Sequence, residues 1–179
     1  QLTLPSLAQL GARVSTDEAD RLIMNVLAQT NDPSIGLALG QRLNLSAHAM
    51  IGQAFLTCSN LAEVLDLLSR YGALLTGTRT QLIRTPSNTA DYDGMVVVLD
   101  QTDPMKRFNY EVIFSAIQKA LSDLMESAVP NMRVAFPFTS PADLSPFTRI
   151  FGEQIHFNAE RAEFSLPKDI TRQPLPSSN

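Results

Sequence analysis

The sequence holds no tryptophan, one cysteine and two histidines among 179 residues. A single thiol, Cys58, excludes an intramolecular disulfide framework and a cysteine-based zinc site. His48 and His156 are far apart, and neither sits in a recognised metal spacing. Fourteen basic residues stand against 18 acidic ones, a net charge of −4, so bulk charge gives no surface for neutralising phosphates. No run approaches the roughly 18 consecutive apolar residues of a membrane span, and no basic-then-apolar leader opens the chain. The expectation is a cytoplasmic protein with no membrane role. A glycine-rich phosphate loop, a Ser-His-Asp arrangement and a metal cluster are also missing from the pattern, so no enzyme and no cofactor are expected.

What is present is a globular composition, 44% apolar and 18% charged, at a length that suits one domain. At that size a folded chain buries roughly 70% of the surface its unfolded form exposes. The first half reads as helices. Ser15 and Glu18 form a capping-box signature ahead of Ala19, Leu22, Ile23, Val26 and Leu27 at helical spacing. Asp32 and Pro33 predict the start of a short second helix from Ser34 to about Gly40. A third is predicted over Ser46–Thr57, with Ala47, Met50, Ile51, Ala54, Phe55 and Cys58 on one face. Asn60 and Glu63 cap a fourth, whose inner face is Leu61, Val64, Leu65, Leu68 and Tyr71.

The middle changes character. Gly77–Thr85 alternates as a strand, Pro86–Asp91 is turn chemistry, and Met95–Leu99 is a buried β-branched run, together an antiparallel hairpin. Asp103-Pro104 opens the longest helix, to about Ser127, with Tyr110, Ile113, Phe114, Ile117, Ala120, Leu121 and Leu124 within one arc. Val134–Phe136 is a further strand and Pro141–Phe151 a helix. Gln154–Phe157 and Ala162–Ser165 are two short strands around a tight Asn158-Ala159-Glu160 turn. The fold class is α+β: an N-terminal helical half, then a small antiparallel sheet crossed by a long helix. The chain begins at Gln1 and ends Pro174-Leu175-Pro176-Ser177-Ser178-Asn179, which reads as a piece of a longer polypeptide. Residues 1–172 are expected to form the domain, and residues 173–179 to start a linker.

Four segments carry a resemblance. Asn31–Gly40 resembles the DPxxGLxLG stretch of one branch of AraC-type transcription regulators, and Ala62–Tyr71 is similar to the helix that follows it there. Phe151–Ala159 resembles the FGxxVxFxA segment of that branch. Ala162–Pro167 with Gln173-Pro174-Leu175 falls where the branch closes. The family is the amino-terminal regulatory domain, labelled arabinose-binding after a founding member whose own sensor is a β-barrel. The resemblance implies an effector-sensing domain ahead of a basic helix-turn-helix module that these residues do not contain, and a homodimer, since such regulators read paired half-sites. DNA would be met only through that module. The helices-then-sheet order is also similar to sensor and adaptor modules that hold an apolar ligand between helices and sheet. The alternative function is therefore a free-standing small-molecule-binding or adaptor module with no DNA role.

A ligand between the helical half and the sheet would be lined by Tyr110, Ile113, Phe114 and Ile117 of the long helix. Met50, Ile51 and Phe55 would face them, with His48 at the rim. Tyr110 and one of Arg79 or Arg84 are the candidate polar contacts, because alternation turns at most one of those arginines inward and a buried arginine needs an acid. Each residue has a plainer reading: His48 as a locally bonded half-buried histidine, the apolar set as core, the arginines as solvated, His156 as surface and Cys58 as a buried structural thiol. An apolar acid fits a cavity of this make-up. Without tryptophan the apolar faces carry few platforms for a sugar, which disfavours arabinose.

Overall fold

The computed structural model describes residues 15–30, 32, 34–44, 49–76, 80–86, 91–100, 102–103 and 105–176. The predicted hairpin is its centre. Strand β1 (Thr80–Pro86) pairs antiparallel with β2 (Tyr92–Leu99), Leu82 opposite Val97 and Thr80 opposite Leu99. Three shorter strands complete the sheet: β3 (Arg133–Ala135), β4 (Ile155–His156) and β5 (Ala162–Pro167), in the order β1-β2-β5-β3-β4. All pairings are antiparallel except β3 with β4, which is parallel.

The two C-terminal strands are present, but they are not neighbours. β3 lies between them, so Asn158–Glu160 does not close a hairpin. Asn158 does take the left-handed conformation of a tight turn, at φ 55°. The N–H groups of Asn158 and Ala159 donate to the carbonyls of Phe138 and Phe136 instead. Inserting β3 sets Val134 opposite Phe164, both buried in the core.

The helices are α1 (Thr16–Gln29), α2 (Ile35–Arg42), α3 (Ala49–Leu56), α4 (Leu61–Tyr71) and α5 (Ala73–Thr76) before the sheet. After it begins come α6 (Lys106–Met125), α7 (Ser145–Phe151) and α8 (Lys168–Thr171). Local capping chemistry acts as read. Ser15 Oγ accepts from the Glu18 N–H while the Glu18 carboxylate accepts from the Ser15 N–H, and Asn60 Oδ1 accepts from the Glu63 N–H at 3.1 Å. Asp32 closes a turn on the Ser34 N–H and hydroxyl, and the helix begins one residue beyond Ser34. Asp143 likewise accepts from the Ser145 N–H, delaying α7 to Ser145.

Helix α6 packs on the sheet through Tyr110, Ile113, Phe114, Ile117 and Leu121, and α4 packs against β1 with Leu61, Val64, Leu65 and Leu68 buried. Tyr71 departs from its expected inward position and is half exposed. Along α1, none of the five apolar residues read as its inner face is buried, and Leu22 and Val26 are exposed. Seven phenylalanines form a continuous aromatic cluster. Phe136 sits at its centre, with ring centroids 4.9–5.8 Å from Phe114, Phe138, Phe147, Phe151 and Phe157. Phe164 joins through Phe114. At the other end, Leu175 is buried and its N–H donates to the Ser59 carbonyl at 2.9 Å, beside a bridge between Pro174 and Asn60.

Helix α6 also buries a second side, Glu111, Ser115 and Ala116, against α2. Gly36 and Gly40, four apart on α2, let the two backbones approach. The Ser115 hydroxyl donates to the Leu37 carbonyl at 2.8 Å, and the Gln41 amide donates to the Ser115 carbonyl and the Gln118 side chain. In an open helix Gly→Ala gains about 1 kcal/mol. A methyl on Gly40 would instead lie 2.5 Å from the Val112 carbonyl oxygen and 2.7 Å from Ser115 Cβ. Gly40→Ala is therefore expected to lose about 1–3 kcal/mol in urea denaturation. A stabilised variant would mean that α2 does not seat this closely.

Candidate functional site

β5 begins at Ala162 opposite Val97, so Val98 and Leu99 run past it and pair only with β1. This overhang, the first turns of α6 and the loop after β3 surround a cleft of about 520 Å³. Its walls are Val96–Leu99, Pro137 and Phe138, with Tyr110 on the α6 side and Ala162 on the sheet side. Lys106, Arg107 and Arg161 supply positive charge, and Glu160 is the one acid in the lining. The size suits a small organic molecule, and the walls mix apolar surface with a few convergent polar groups.

Tyr110 is 8% exposed. Burial pushes its phenol above the ordinary value, a hydrogen bond with the Leu99 backbone opposes that rise, and Asp103 adds to it. Arg107 lies with its guanidinium carbon 5.2 Å from the centre of the Phe138 ring. Its Nε donates to Glu111 Oε1 at 2.9 Å. Arg107 is 41% exposed and Glu111 2% exposed, so the pair leads from the cleft into the α2–α6 contact. Burial raises the Glu111 carboxyl to about 7; the Arg107 hydrogen bond and charge oppose this, and the Asp32 charge adds to it. Arg161 pairs with Glu163 at 2.9 Å.

A second space, about 100 Å³ and almost wholly apolar, lies among α4, α5, β1 and α6, where Ile113 and Ile117 face Leu68, Leu75 and Leu82. The ten candidate residues thus part company. Tyr110 lines the large cleft and Ile113 and Ile117 the small one. Phe114 is enclosed in the aromatic cluster. Ile51 and Phe55 pack into the core from α3 and line neither space. Arg84 is tied to Asp66 at 3.1 Å and to Asp93 at 3.7 Å, and Thr171 donates to the same Asp93, so the arginine joins β1 to α4 and α8. His48, Arg79 and the side chain of Met50 lie outside the described residues.

Lys106, Arg107, Phe138, Glu160 and Arg161 did not stand out in the sequence. The one available signal was Arg107 and Glu111 four apart on a helix bearing Tyr110, an ion-pair spacing that is usually a surface feature. Cys58 is buried and donates to the Ala54 carbonyl, and burial together with the Glu63 charge pushes its thiol upward, away from a nucleophile. His156 is exposed on β4. Among the described residues no cluster of His, Cys, Asp or Glu is placed to hold a metal ion, and no helix is long and apolar enough to cross a membrane.

Fold and site together define an α+β domain with a charge-rimmed, half-apolar cleft at one end of its sheet. The chain belongs to the family described as the arabinose-binding domain of AraC transcription regulator, N-term, which matches residues 1–175. It is similar to the Ornithine utilization regulator of Pseudomonas aeruginosa, 24% identical over 170 residues, covering 93% of this chain and 49% of that protein. Its fold is similar to the crystal structure of the transcriptional regulator CdpR from Pseudomonas aeruginosa. That similarity has a TM-score of 0.69 at 16% identity and covers 93% of this chain and 54% of the other. The chain spans about half the length of these relatives.

Proposed function

We propose that this domain is the effector-sensing half of an AraC-type transcription regulator, that it self-associates, and that DNA is bound by a helix-turn-helix module beyond these residues. The observation that carries the reading is the cleft, which sits where the long helix, the sheet end and the aromatic cluster meet. A small molecule held there touches three parts of the fold at once. It can shift the domain between two arrangements only by binding one of them better. The name of the Pseudomonas relative ties that protein to the use of a small metabolite, in keeping with a metabolite as effector here. For self-association, the helical half offers exposed Leu22, Met24 and Val26 on α1, Leu39 on α2 and Leu56 on α3. The net charge of −4 agrees with leaving DNA to another module.

A thermal-shift screen of small metabolites against wild type and Tyr110→Phe tests the site. The variant is expected to lose about 1 kcal/mol of stability with its hydrogen bond. It is also expected to bind hits roughly tenfold more weakly, which calorimetry would confirm. Hits that stabilise both proteins equally would remove Tyr110 from the site. A stop codon directly after Asn179 in the gene would favour the free-standing module.

A further inference from the structure

The three cations of the cleft are not equivalent. Arg161, just ahead of β5, is matched by Glu163 on that strand. Arg107 stands between the cleft and a carboxylate the protein itself supplies, that of Glu111, which is buried on the far side. Glu111 packs against the start of α2: a methyl on Gly36 would meet Glu111 Cβ and Oε2 at 2.8 Å. Its acid is thus held inside the α2–α6 contact, with Arg107 on its own helix and Asp32 ahead of α2 as the charged groups acting on it. Breaking that ion pair while Glu111 stays ionised would leave a buried charge uncompensated, which is strongly disfavoured.

We propose that the cleft binds a small carboxylate-bearing molecule, its acid group seated among Lys106, Arg107 and Arg161 and its apolar part against Pro137 and Phe138, and that it competes with Glu111 for Arg107. The inference rests on the effector reading and names the ligand class for that site. A monoanion suits the lining better than a phosphate, because Glu160 lies in the same cleft and two of the cations already share their charge with Glu111 and Glu163. When the incoming carboxylate draws Arg107, Glu111 takes up one proton from solvent, and the α2 contact changes from ion-paired to neutral. Ligand, proton and α2 are thereby coupled.

The sign follows from the Glu111 carboxyl, which titrates at about 7 in the free domain. Below that pH it is already neutral and does not compete. Above it, each binding event must bring in a proton. Affinity for a carboxylate is therefore expected to be flat below about pH 7 and to fall above it, by at most tenfold per pH unit for one proton. The ligand's own acid stays ionised throughout.

The test is calorimetry on the 179-residue chain, at pH 6 to 8 and in two buffers of different ionisation heat. The probes are straight-chain alkanoates from butanoate to decanoate and phenylacetate, each beside its primary amide. At least one acid is expected to bind roughly tenfold more tightly than its amide, with proton uptake at pH 8. In Glu111→Gln the same acid should bind more tightly at pH 8 and lose its pH dependence. Arg107→Ala would strand Glu111, so the paired variant Arg107→Gln/Glu111→Gln is used. It should fold by circular dichroism and lose the preference for acid over amide. Amides that bind as well as acids, or no binding by any acid, would overturn the ligand class. Acid binding with neither proton uptake nor a change in Glu111→Gln would overturn the coupling. Neutral hits in the metabolite screen would leave the effector reading standing in each case, and only a screen with no hits at all would remove it as well.

Discussion

Phe136→Ala is expected to lose about 3–5 kcal/mol of folding stability, the range for emptying a large aromatic from a core. Phe136 is fully enclosed, and five other phenylalanine rings lie within 5.8 Å of its centroid. Those rings come from α6, the loop after β3, α7 and the segment after β4, so the cavity left behind has walls on four separate pieces of chain and collapses poorly. A domain of this size holds about 5–15 kcal/mol in all, which makes the loss a large share. The effect should reach the cleft as well. Phe138 stacks on Phe136 at 5.0 Å with an interplanar angle of 29°, and Phe138 is both a cleft wall and the ring beneath Arg107. Urea denaturation measures the first consequence, and weaker binding of cleft ligands under conditions where the variant is still folded measures the second. A loss below about 1 kcal/mol would show that the cluster repacks freely and does not anchor the cleft.

That cluster also marks what the sequence could and could not disclose. The caps at Ser15 and Asn60, the β1–β2 hairpin and the inner stripe of α6 were legible because each depends on residues within a few positions of one another. The place of β3 was not. Its three residues pair with partners about 20 to 30 positions away, and no local signal separates a β4–β5 hairpin from two strands with a third between them. The cleft depends on that insertion and on β5 stopping short of the end of β2, so its charged lining was scattered along the chain as ordinary solvated residues. Tyr110 stood out because a phenol in an apolar stripe is conspicuous anywhere. Arg84 was one of two arginines offered as a polar contact for a ligand, and its ion pairs with Asp66 and Asp93, 18 and nine residues away, are not visible in the local pattern. Glu111 was overlooked for a related reason. Nothing in a helical wheel says that a second helix covers the side opposite the apolar stripe, although Gly36 and Gly40 at helical spacing were the hint that something packs closely there.

Glu111→Gln is expected to stabilise the domain in full above about pH 7, by progressively less between pH 7 and 4.5, and to leave it unchanged near pH 4. The folded-state carboxyl is raised from 4.5 to about 7, chiefly by burial. A group shifted this way contributes stability that is present in full below its unfolded value and lost as pH climbs through its folded value. Two and a half pH units correspond to roughly 3 kcal/mol at the upper bound, with the partly exposed Arg107 already included in the balance. Glutamine keeps the size and an acceptor for Arg107 while removing the charge, so the variant should hold the low-pH stability throughout. The carboxylates shifted the other way, Asp32 by Ser34 and Asp143 by Ser145, lose their contribution only as pH falls below the ordinary carboxylate range, outside this window. Urea midpoints of parent and variant at pH 4 and pH 8 separate the possibilities: the two proteins should coincide at the lower pH and diverge at the higher, with the parent the weaker. A parent that gains stability between those values, or a variant weaker than it at pH 8, would mean that Arg107 fully compensates the buried charge. The route from the cleft through Arg107 to α2 would then have no free energy to transmit.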